Sequence, residues 1–103
     1  MEGENMPTFI LATKLSQELT KNPALREDIG KEWKAKVSQK CPKVKWLAHY
    51  ALLGPYDFID IYEAPTEEDA AKVSMITLST GASVAESWTA IPYKRFLELV
   101  KEL

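Results

Sequence analysis

Between residues 43 and 64 the chain carries two apolar runs separated by little more than Gly54-Pro55, and each run is apolar on both of its faces. Successive side chains of an extended strand point to opposite sides. The first run therefore puts Val44, Trp46, Ala48, Tyr50 and Leu52 on one side, with Leu47, His49, Ala51 and Leu53 on the other. The second run, Tyr56 to Ala64, divides into Ile59 and Ile61 against Phe58 and Tyr62. A glycine-proline break between two such runs predicts a β-hairpin. An antiparallel sheet with helices on one side normally turns a polar face to water, and this hairpin has none to offer. Its second face needs a cover, and a second copy of the chain is the expected one, since most soluble oligomers are symmetric assemblies of one subunit.

The flanking segments supply the rest of a domain. TFILATKL, Thr8 to Leu15, is β-branched and partly alternating and reads as the first strand. Asn22 and Pro23 read as the start of a helix reaching Lys40, with Leu25, Ile29, Trp33 and Val37 forming a stripe at spacing four. Cys41-Pro42 ends it, because a residue before proline is pushed out of the helical region. After the hairpin, Thr66 caps a second helix whose first turn is Glu67, Glu68 and Asp69, and Gly81 terminates it. Ser83 to Ile91 reads as the last strand, and Pro92 opens a short terminal helix with Phe96, Leu97 and Val100 available for burial. The order strand, helix, strand, strand, helix, strand predicts an α+β class domain: a ferredoxin-like βαββαβ fold with an antiparallel sheet and an extra C-terminal helix. Residues 1–7 read as a flexible leader and 8–103 as a single domain.

Composition narrows the functional classes. A chain of 103 residues, 46% hydrophobic, can build one core without disulfides or a structural metal. Thirteen basic and fifteen acidic residues, net charge -2, give no general attraction to nucleic acid or anionic lipid. One cysteine and one histidine cannot make a disulfide or a Cys/His zinc site. No run approaches the roughly 20 apolar residues of a membrane span, and the N-terminus lacks the pattern of an export signal. The expected setting is cytoplasmic, with no nucleic acid, membrane, metal or cofactor involved.

The run Leu53-Gly54-Pro55-Tyr56-Asp57-Phe58-Ile59-Asp60-Ile61-Tyr62-Glu63-Ala64-Pro65 resembles the GYD domain family, marked by a Gly-x-Tyr-Asp turn, an apolar strand and a Glu-Ala-Pro exit. The resemblance extends more loosely over residues 8 to 100. Thr13-Lys14-Leu15-Ser16 is similar to the family's first-strand exit, with Leu15 in place of an aromatic residue. It implies a dimeric α/β barrel, in the broad grouping that includes cofactor-free monooxygenases. It implies no particular reaction; Gly54, Tyr56 and Asp57 are the positions it marks.

Several side chains are candidates for chemistry. His49 is the chain's one imidazole, the side chain used most often for proton transfer, and counting back from a two-residue turn sets it opposite Asp60, and Leu47 opposite Tyr62. A carboxylate beside an imidazole selects one tautomer for base work, so His49 and Asp60 are the candidate catalytic pair; the alternative is a structural hydrogen bond. Lys14, Tyr56, Asp57, Tyr62 and Trp88 are the candidate ligand contacts, although an acidic turn residue such as Asp57 more often bonds backbone amides. The reading is a small homodimeric or higher-order domain binding a small organic molecule in a cavity between facing sheets. The competing readings are a cofactor-free monooxygenase-like enzyme using His49 and a purely structural self-association module.

Overall fold

The computed structural model describes residues 6–103; the leader expected over residues 1–7 lies mostly outside them. Four strands, β1 (Thr8–Leu15), β2 (Lys45–Ala51), β3 (Phe58–Glu63) and β4 (Ala82–Ala90), form one antiparallel sheet in the order β2-β3-β1-β4. With α2 (Arg26–Lys40) between β1 and β2, and α3 (Glu67–Ser79) between β3 and β4, this is the expected ferredoxin-like arrangement. A short α1 (Gln17–Lys21) and a terminal α4 (Tyr93–Val100) complete the described elements.

The expected single helix from Asn22 to Lys40 is divided. Ser16 takes extended dihedrals and accepts the Leu19 amide, so a helix begins well before the proline signal. Asn22 closes that turn, Pro23–Leu25 is a 3₁₀ segment, and α2 starts only at Arg26. Burial grows along the expected stripe: Leu25 is exposed, Ile29 and Trp33 are half-buried, and Val37 is fully buried. A strict spacing of four drifts around a helix of 3.6 residues per turn, and the N-terminal half of α2 stands away from the sheet. The α3 signals hold as read: Thr66 accepts the Asp69 amide, and Gly81 sits at φ 105° just past the helix.

One side of the sheet carries the core. Phe9 and Leu11 of β1, Tyr62 of β3, Val37 and Cys41 near the end of α2, and Ala70, Val73 and Ile76 of α3 are buried together. Tyr62 is fully buried, between Phe9 at 5.6 Å and Trp46 at 5.3 Å between ring centroids. Its hydroxyl shares a 2.8 Å hydrogen bond with Ser87 Oγ, which shares another with Ser74 Oγ and donates to the Ala70 carbonyl.

The hairpin register corrects two expectations. His49 does face Asp60, but Leu47 does not face Tyr62: Trp46 pairs with Tyr62 and Ala48 with Ile61, leaving Leu47 as the extra residue of a β-bulge. The bulge places Trp46 on the helical side together with His49. Asp60 and Tyr62 are also on that side, being buried beneath the helices with Leu11 and Phe9 opposite them. His49, Asp60 and Tyr62 therefore cannot line a cavity between facing sheets. The open face is nonetheless apolar, built from Ile10, Ala12, Ile59, Ile61, Tyr50, Val84 and Trp88. Tyr50 is 59% exposed and Trp88 41%.

Candidate functional site

Because α2 lifts away at its N-terminal half, a cavity of about 480 Å³ opens between it and the sheet. Its walls are mainly apolar: Leu19 from α1, Ile29 and Trp33 from α2, Trp46 from β2 and Phe58 from β3. That size and lining lie within the range of small-molecule sites. The Trp33 indole N–H donates to Thr77 Oγ1 at 2.8 Å, and Thr77 donates to the Val73 carbonyl at 2.7 Å, which ties that wall to α3.

Among the polar groups that line the cavity, His49 and Asp60 form a bonded pair. His49 Nδ1 bonds Asp60 Oδ1, while the imidazole stacks on Phe58 with centroids 5.5 Å apart and planes at 16°. Asp60 is buried and His49 largely exposed, so the pair runs from the interior to the cavity mouth. With Nδ1–H donated to the carboxylate, Nε2 of the neutral ring is an acceptor. Burial pushes the Asp60 carboxyl above the ordinary aspartate range, against the opposing pull of the His49 charge and hydrogen bond.

That direction has a consequence for stability. Over the window from the ordinary aspartate value of about 3.9 up to the raised folded value, the native state holds a proton that the unfolded chain has released. Asp60 alone thus makes stability fall as pH rises through the window. Urea denaturation of the natural protein and of Asp60→Asn across this range should show the natural protein losing ground relative to the variant with rising pH. A difference that stays flat, or grows the other way, contradicts the assignment.

The candidate ligand contacts are divided between the two faces. Tyr62 belongs to the core, and burial raises its pKa. Asp57 sits where the hairpin meets the end of β1: its Oδ2 accepts the Leu15 amide at 2.7 Å, its own amide donates to the Thr13 carbonyl, and its carbonyl accepts the Leu52 amide. It fastens the turn to the first strand. The turn itself is longer than two residues, spanning Leu52 to Asp57 between the paired strands. Tyr56 and Trp88 meet on the open face, edge to face at 5.8 Å, and both donate to Glu86 Oε1, at 3.0 and 2.9 Å. Lys14 is exposed at the end of β1. Cavity residues outside the sequence-based set include Trp33, Trp46, Phe58 and the rim cations Arg26, Lys31 and Lys34. Trp33 stood in the α2 stripe, where spacing alone reads as core.

A second unpartnered surface lies at the C-terminus. Tyr93, Phe96, Leu97 and Val100 form one apolar stripe on α4, yet α4 buries none of its residues and makes at most marginal contact with the rest of its chain. The molecule is accordingly extended, 50 × 30 × 18 Å. No helix among the described residues is long and apolar enough to cross a membrane.

The sequence pattern described as "GYD domain" matches residues 9–100. The chain is also 30% identical over 100 residues, 93% of its length and 100% of the other protein's, to the "Glutamine synthetase and cystathionine beta-lyase binding protein" of Thermus thermophilus. No solved structure matches it.

Proposed function

The chain belongs to the GYD domain family, and on that ground, together with its surfaces, we propose that it is a homo-oligomeric protein-binding module whose open sheet face meets that of a second copy. The observation that carries this reading is the apolar open face. Ile10, Ile59, Ile61, Tyr50 and Trp88 lie together on one side of a sheet whose other side already holds the core. A contiguous patch of this kind marks an interaction surface, and pairing it across a two-fold axis gives the closed geometry of a dimeric α/β barrel. The amphipathic α4, which buries none of its residues in its own chain, supplies a further apolar strip for the same or another protein. Likeness to the Thermus protein supports folded enzymes as the additional partners, bound by the assembled module in the cytoplasm.

Light scattering at micromolar concentration should report twice the chain mass or more. Trp88→Lys puts a desolvated charge into the proposed contact, where hot-spot residues contribute about 2 kcal/mol or more, so self-association should weaken roughly 30-fold with the circular dichroism unchanged. A natural protein that runs as a single chain at this concentration overturns the proposal. A small ligand has its room on the helical side of the sheet, separate from this contact.

A further inference from the structure

We infer that the cavity under α2 is a binding site for a small planar aromatic molecule bearing one acidic oxygen, a phenol or an aromatic carboxylic acid. Shape and polarity both point there. Trp33 and Trp46, 5.1 Å apart between centroids, and Phe58 offer ring faces and edges to a flat ligand. Leu19 and Ile29 add aliphatic surface. Against these walls stands one polar pair, His49–Asp60, whose hydrogen bond leaves Nε2 of the neutral ring as the acceptor for a ligand O–H. If the proton crosses, the O–H bond breaks, its electron pair stays on the ligand oxygen, and the imidazolium formed is held by the Asp60 carboxylate. No further reactant is needed. The rim adds the same preference: Arg26, Lys31 and Lys34 of α2 line the cavity against two acids, Glu27, which is itself 3.7 Å from Lys31, and Asp60, which is bonded to His49. The ligand anion left by that transfer meets net positive charge there although the chain as a whole is acidic.

The three tryptophans make the test direct, because Trp33 and Trp46 line the cavity while Trp88 stands on the opposite face of the sheet. The probe is para-nitrophenol, with nitrobenzene as its neutral counterpart, titrated while the three indole N–H resonances are followed by two-dimensional NMR. Para-nitrophenol should move the Trp33 and Trp46 signals saturably and leave Trp88 in place. His49→Gln should weaken it about 10-fold, to the level of nitrobenzene. Gly30→Leu is the blocking variant: Gly30 lines the cavity from α2, an added Cβ there meets nothing within 4 Å, and leucine favours the helix, so the fold is kept while the space is filled. It should abolish binding of both probes. The inference fails if Trp33 and Trp46 show no saturable shift at about 1 mM probe, if Gly30→Leu binds as the natural protein does, or if nitrobenzene binds as tightly as para-nitrophenol. Light scattering on the same samples reads the sheet-face association separately, so failure of one proposal is distinguishable from failure of the other.

Discussion

Tyr62→Ala should lower folding stability by about 3–5 kcal/mol, the loss seen when a fully buried aromatic side chain is cut back to a methyl group. Tyr62 is the largest fully buried side chain, and its ring is held between Phe9 and Trp46. The space left cannot close easily, because Phe9 and Trp46 stand on neighbouring strands whose separation is set by the hydrogen-bonded ladder. Ser87 also loses a hydroxyl partner, although Ser74 and the Ala70 carbonyl remain to it. Tyr62→Phe isolates that second component and should cost about 1 kcal/mol. Urea denaturation at one fixed protein concentration measures both, since association would otherwise shift the midpoint. Equal losses for the two variants would mean that the hydroxyl network, and not the ring, holds this part of the core.

Gly81→Ala ranks second. At φ 105° the backbone occupies a region that costs an L-residue roughly 1–2 kcal/mol. A Cβ there would also press into Leu19 Cδ1 and come within 3.3 Å of Ile29 Cγ2. Forced repacking of this kind adds about 1–3 kcal/mol. The two contributions separate in a double-mutant cycle with Leu19→Ala: in the Leu19→Ala background the steric part should vanish, and so appear as the coupling energy, while the backbone part persists. The site matters for the fold because the Gly81 carbonyl accepts the Ser16 amide at 2.8 Å, joining the end of α3 to the start of α1. Additivity of the two substitutions would show that Leu19 turns aside freely and that the dihedral alone sets the cost.

Much of this architecture was legible because the decisive signals are local. Thr66 with three acids behind it, Gly81 and Pro92 each fix an element boundary through the backbone of one or two residues. The element order then selects the sheet topology, and the opposition of His49 to Asp60 follows from counting through the hairpin. What escaped is the choice of face. When both sides of a strand are apolar, alternation states which residues share a side but not which side the helices take. Phe58 and Tyr62 share a side, as alternation requires, and that side is the helical one. The bulge at Leu47 is likewise invisible in composition, and it moves Trp46 to the side of His49. For the candidate site the pair was readable; the cavity was not, since it arises from the stance of α2, which depends on the break at Pro23–Leu25 and on tertiary packing.

Both outermost strands are interrupted in the same manner. In β2 the unmatched residue is Leu47, and in β4 it is Ser83, where Lys14 pairs with Val84 and Leu15 with Ala82. Such kinks make a rim a poor template for a further strand. Lateral growth of the sheet into fibres is thereby discouraged on either flank, a safeguard for a molecule with this much greasy surface.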